Sequence, residues 1–223
     1  MKYLFALCCL LGTAALHAQD CRNFYYMQNN KTIEMTIYSK KGAVAGRNVY
    51  HVSNVKSSGN AVSSDVSSEM FDKKGKSYAK SQINFKCAAG VMMIDMKMMI
   101  PQQQAEQFKT EAKADNVYIE YPASMKPGDM LKDASMSMEV NNNGMQQTLT
   151  MNVTNRKVEG KESITTPAGT WDCFKITSKS KIHMKMGPIG VPMNFDSTEW
   201  FAPGFGVVKT ESKHGETLIT AVK

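Results

Sequence analysis

Histidine, cysteine and tryptophan are scarce in this chain of 223 residues, with four His, five Cys and two Trp. No C-x-x-C and no H-E-x-x-H occurs, which removes two common zinc signatures. The G-x-S-x-G elbow of α/β-hydrolases is absent as well. His51, His183 and His214 have no spacing that asks for a catalytic triad. Acidic residues are dispersed without an aromatic platform, so paired carboxylates for glycoside chemistry have no support. Lysines fall singly or in short groups such as "SKSK" (178–181) and "DKKGK" (72–76). Nucleic-acid binders concentrate such charge with aromatics on one face. The net charge of +7 therefore reads as a solvated, mildly basic surface with some affinity for anionic lipid. No catalytic residue, metal ligand, cofactor or nucleic-acid partner is expected.

One apolar run is present, at the start. "MKYLFALCCLLGTAALHA" has Lys2, an apolar stretch from Tyr3 to Leu11, and small residues up to Ala18. This is the three-part pattern of a signal peptide, residues 1–18. The run is shorter than the ~20 residues a spanning helix needs, and no later stretch replaces it. Neither Cys8, Cys9 nor Cys21 follows a small residue in the manner of a lipidated cysteine. The expectation is an exported protein, periplasmic, outer-membrane associated or extracellular, with no transmembrane segment after cleavage. Residues 19–223 are then one all-β domain, long enough for a real core. Cys21, Cys87 and Cys173 remain, and export permits a disulfide. Spacing does not fix connectivity; Cys21 with Cys87 is the expected pair, tying the N-terminal segment to a strand. Cys173, among the apolar residues of "TWDCFKI", is expected to be a buried thiol.

Period-two alternation dominates the rest of the chain. Ala134, Met136, Met138 and Val140 share one face of "ASMSMEV", and Leu149, Met151 and Val153 share one face of "TLTMNVT". "NNNG" (141–144) between them marks a hairpin. "KIHMKM" (181–186) sets Ile182, Met184 and Met186 against Lys181, His183 and Lys185. "TIEMTIY" (32–38), the pair 61–71 and 77–87 around "DKKGK", and the segments 47–55, 115–122, 169–178, 205–212 and 215–223 complete about ten to twelve strands. "VMMIDMKMMI" (91–100) reads as one more, with Met92, Ile94, Met96, Met98 and Ile100 inward. Segments 123–131 and 186–192 read as Pro/Gly loops. "PQQQAEQFKTEAKA" (101–114) is the one helical segment, with Pro at its first turn. The fold class is all-β, mostly antiparallel: a strongly curved sheet or open barrel with one short helix.

The chain carries 18 methionines. Met fills irregular space and re-packs, which suits an apolar pocket. Met35, Met92, Met96, Met98, Met136, Met138, Met151, Met184 and Met186 can share the concave face of such a sheet and line a ligand cavity. Close-packing of a filled core is the alternative. Thioether binding of copper is a third reading, opposed by the apolar faces on which M-x-M pairs lie.

"ITTPAGTWDCFKI" (164–176) and "STEWFAPGFGVVKTES" (197–212), with Cys21, the "FDKKGK" turn and "GVMMIDM", resemble a group of exported Bacteroidetes proteins. The group is known as domain-of-unknown-function or TapB-like proteins. The resemblance implies an exported all-β protein, similar to the curved sheet of periplasmic lipoprotein carriers, and brings no catalytic residue with it. Within these motifs Pro167 and Gly169 read as a turn into a strand. Pro203, Gly204 and Gly206 read as a tight turn after the core anchors Trp200 and Phe201. The expected function is non-enzymatic: an envelope protein binding a lipid or other hydrophobic ligand. The alternative is a structural module that binds an envelope protein.

Overall fold

The computed structural model describes residues 21–99, 113–142, 145–186 and 189–223. The expected signal segment and most of the expected helix 101–114 lie outside those residues. Lys113 and Ala114, assigned to that helix, instead begin a strand.

Among the described residues thirteen strands follow the alternating runs: β1 (Thr32–Ser39), β2 (Val44–Ser58), β3 (Ala61–Asp72), β4 (Ser77–Ala88), β5 (Val91–Asp95), β6 (Lys113–Asn116), β7 (Tyr118–Pro122), β8 (Ala134–Asn142), β9 (Met145–Thr166), β10 (Gly169–Met186), β11 (Ile189–Ala202), β12 (Gly206–Ser212) and β13 (Gly215–Val222). They form one sheet in the order β6-β8-β9-β10-β11-β12-β13-β1-β2-β3-β4-β5-β7. Every pairing is antiparallel. Among the described residues only short 3-10 turns break this pattern, and no helix is long and apolar enough to cross a membrane.

The two edge strands, β6 and β7, are consecutive in the chain with Val117 between them. One pairs with β8 and the other with β5, so a single residue carries the chain from one edge of the sheet to the other. The sheet is thereby rolled into a nearly closed barrel, which removes most of its unpaired edge. Below Val117 the loop 123–133 fills the seam. Leu131 N–H donates to the Arg156 carbonyl at 2.8 Å, and Val158 N–H donates to that of Asp129 at 2.9 Å.

Residues 21–27 plug one end. Cys21, Phe24, Tyr26 and Met27 are buried, and the Tyr26 ring stacks on Phe85 at 4.7 Å. The plug is held covalently by the Cys21–Cys87 disulfide, while Cys173 is free and buried. The turn in "APGFG" fits around it. Tyr25 N–H donates to the Gly204 carbonyl at 3.0 Å. At Gly206 a side chain would bring its Cβ to 3.1 Å from Tyr26, and φ is +137°, a region that favours glycine.

Two expectations need correction. The strand at 91–100 stops at Asp95, and Met96–Met99 form a 3-10 turn. The cause is local: the Asp95 carboxylate accepts from Lys97 N–H at 2.9 Å, offering the backbone an alternative to the ladder. Met96 still points inward, fully buried. The segment 186–192 is also not simply a loop, because β11 already pairs with β10 from Ile189.

Candidate ligand cavity and its apolar approach

The inner faces of the strands supply the lumen wall. From the plug downward the first space is a cavity of about 160 Å³, lined among others by Tyr26, Met35, Phe85, Ile94, Tyr121 and Glu199. A second cavity, of about 330 Å³, lies beyond Glu199 and opens toward the unplugged end. Its apolar wall is Ile37, Met151, Val153, Ile182 and Phe195. Its polar wall carries Ser197, Glu199, Thr210, Ser212 and Thr217, with His214, Glu211 and Glu216 at the mouth. Glu199, Thr210 and Thr217 border both spaces. A depression of about 510 Å³ around Lys40, Lys179, Asp196 and Lys213 is lined by polar residues alone. It lacks the mixed lining of a ligand site.

A buried polar cluster forms the floor between the two cavities. The Arg156 side chain is 0% exposed and that of Glu199 is 17% exposed. Tyr121 donates its hydroxyl proton to Glu199 Oε2 at 2.9 Å, and Arg156 Nη2 lies 3.5 Å from Glu199 Oε1. The other arm, Nη1, donates to the carbonyls of Glu120 at 2.9 Å and Lys132 at 3.2 Å. The guanidinium also faces the Tyr121 ring at 4.8 Å. Arg156 Nε has no hydrogen-bond partner among the described residues. Burial, and then the Glu199 charge, hold the Tyr121 phenol well above its usual range. This cluster closes the seam: it joins β9, β11 and β7 where the sheet's own hydrogen bonds run out.

Sequence reasoning missed Arg156 and Glu199. Alternation from Met151 and Val153 would place Asn155 inward and Arg156 outward. Asn155 instead sits at φ +52°, and the β9–β10 register shifts near it. One extra residue in a strand inverts the facing of every residue after it. The signal was available: asparagine tolerates this conformation better than most residues.

The nine methionines divide. Met92, Met96, Met136 and Met138 are buried in the core, and none of them lines either cavity. Met35 borders the smaller cavity and Met151 the larger. Met184 is exposed. The side chains of Met98 and Met186 lie outside those described. Among the described residues no three His, Cys, Asp or Glu side chains gather as a metal site.

The cavity wall continues beyond the barrel. Cross-strand partners run in rows over β8, β9, β10 and β11: Ala134–Val153–Ser180–Phe195, then Met136–Met151–Ile182–Met193, then Met138–Leu149–Met184–Val191. The β8 and β9 members are buried, and the β10–β11 members become exposed toward the hairpin tip. An apolar path therefore leads from the cavity to solvent.

The remaining motif residues are structural. Trp200 lies on the opposite face of β11, its indole N–H donating to Glu162 and its ring flanked by Lys209 at 4.7 Å and Lys175 at 5.5 Å. Phe201 stacks on Tyr121 at 4.5 Å. Pro167 and Gly169 form the β9–β10 turn, where Thr166 Oγ accepts from the Trp171 indole at 3.2 Å.

Two solved structures share this architecture. A protein described as exported, with a YmcC-like fold, from Bacteroides fragilis superposes with a TM-score of 0.67 at 20% identity, over 88% of this chain and 96% of its own. A protein described as a lipoprotein, from Parabacteroides distasonis, gives 0.69 at 21% identity, over 89% and 98%. At such identities the likeness is one of fold. No curated protein matches the sequence. A single family model matches residues 28–220, which take in the seam, the "EWFAPGFG" turn and nearly all of the rolled sheet, and the chain belongs to the DUF3108-like family.

Proposed function

We propose that this is an exported, non-enzymatic envelope protein that holds an apolar or amphipathic ligand in the concavity of its sheet. The observation that carries the reading is the 330 Å³ cavity, whose apolar wall runs unbroken into the exposed face of β10 and β11. That volume is near the lower bound of ~300 Å³ for small-molecule sites, which suits one acyl chain better than a whole diacyl lipid. The tail would lie on Val153, Ile182 and Phe195, and a polar end would meet the hydroxyls of Ser197, Thr210 and Thr217. Export rests on the signal-peptide pattern, and the neighbours described as exported or as lipoproteins support it. The competing reading, a filled structural module, draws on the complete burial of Met92, Met96 and Met136.

Native mass spectrometry of protein purified without detergent tests the reading. A co-purifying adduct of lipid mass, lost on denaturation and absent from Ile182→Trp, is the expected result. A bare chain for the wild type, unchanged by incubation with fatty acid or monoacylglycerol, would overturn it in favour of the filled module. An adduct of copper mass would instead restore the thioether reading.

A further inference from the structure

Four of the seven exposed large apolar side chains among the described residues sit on one hairpin: Met184 at 38%, Ile189 at 69%, Val191 at 57% and Met193 at 48%. They share one face, because Met184 opposes Val191 and Ile182 opposes Met193 across β10 and β11. The opposite face of β10 carries Lys179, Lys181 and Lys185, all exposed. None of the three makes an ion pair among the described residues. Five other lysines, Lys80, Lys132, Lys157, Lys175 and Lys209, do pair with carboxylates, as Lys132 does with Glu120 and Lys209 with Glu216.

The far side of this hairpin is an open edge. β12 pairs with β11 only from Ser197 onward, so residues 189–196 pair with β10 alone. Pro192 stands in that edge. It has no N–H to offer and blocks the addition of another strand. A second copy of the chain would also bring three further unpaired lysines against these three.

We propose that the β10–β11 tip docks on an anionic lipid surface. Met184, Ile189, Val191 and Met193 enter the boundary between headgroups and acyl chains, and the lysine ammonium groups reach the headgroup phosphates on flexible stems. The apolar rows from Met193 to Ile189 span ~13 Å of strand, comparable with the ~5–10 Å to which interfacial elements bury. Docking is independent of whether the cavity holds a ligand.

Co-sedimentation with vesicles tests this, using phosphatidylcholine alone and an equal mixture of phosphatidylcholine and phosphatidylglycerol. The wild type is expected to bind the mixed vesicles, weakly or not at all the neutral ones, and less as salt rises. Val191→Ser with Met193→Ser should lower binding by about tenfold per side chain. Lys179→Gln, Lys181→Gln and Lys185→Gln together should lower it by about fivefold per lysine. Near-ultraviolet circular dichroism identical to the wild type shows that each variant is folded. Ile182→Trp, which fills the cavity, should sediment as the wild type does. Absence of binding to the mixed vesicles would overturn the proposal, as would serine variants that bind unchanged. A dimer in light scattering that the serine variants dissolve, without vesicle binding, would assign the face to a second copy instead.

Discussion

Arg156, on β9, donates through Nη1 to the main-chain carbonyl of Glu120, on β7, at 2.9 Å. The bond spans strands that the sheet does not pair, and it satisfies a carbonyl that an edge strand would leave open. Its other arm is balanced by Glu199, so the seam is held by a charge that must not lose its partner. Arg156→Met is expected to destabilise the protein by about 3 kcal/mol, the low end for a broken buried pair, because Glu199 retains some contact with solvent. The double variant with Glu199→Met should cost less than Arg156→Met alone. Urea unfolding midpoints of the two variants check the order.

Tyr26, Tyr50 and Tyr121 are buried, and burial is the leading cause of their raised phenol pKa values, that of Tyr50 reaching about 12. The folded value lies above the unfolded value of ~10, so each group leaves stability intact below pH ~10 and erodes it above. The slope is ~1.4 kcal/mol per pH unit for each tyrosine. Thermal midpoints should be flat up to pH ~10 and then fall steeply. Tyr50→Phe should make that fall shallower, and ionisation followed at 295 nm should show the buried phenols titrating only as the fold is lost.

The disulfide closes 66 residues between the plug and β4. By the chain-entropy argument a loop of that length gives about 4 kcal/mol. Cys21→Ser with Cys87→Ser should lose stability of that order and free residues 21–27. Proteolysis before Thr32 in the variant, with resistance in the wild type, checks the second part.

Cys173 is a thiol with little reactivity. Desolvation, then the nearby Asp172 and Glu162 carboxylates, push it up to about 12. At pH 8 the thiolate fraction is about one in ten thousand. Alkylation by iodoacetamide should be negligible in the folded protein and should label one cysteine per chain once denatured without reductant.

How far the sequence discloses this molecule depends on how local each determinant is. The strands are legible because inward and outward residues alternate over short distances, as at Met136 and Met138 or Ile33 and Met35. The end of β5 is missed because one carboxylate, Asp95, captures the backbone at Lys97. The facing of Arg156 is missed because the bulge at Asn155 changes parity without changing composition. Glu199 is missed for a different reason. Its role depends on Tyr121, 78 positions away, and on Arg156, 43 positions away. Nothing near it in the chain announces either partner. The cavity has no local signature, since its walls come from strands scattered from Ile37 to Thr217.

The first and last strands meet in the middle of the sheet. Thr32 and Lys223 exchange main-chain hydrogen bonds at 2.9 Å in both directions, and β13 lies between β12 and β1. Opposite the seam that Arg156 and the loop 123–133 close, the two halves of the sheet are joined by β13 alone. Until β13 arrives, β1 and β12 are both raw edges flanking an open lumen. Joining such distant partners is slow, because loop closure must come before the contacts that reward it. A chain stripped of residues 215–223 is therefore expected to keep both half-shells while losing the closed vessel.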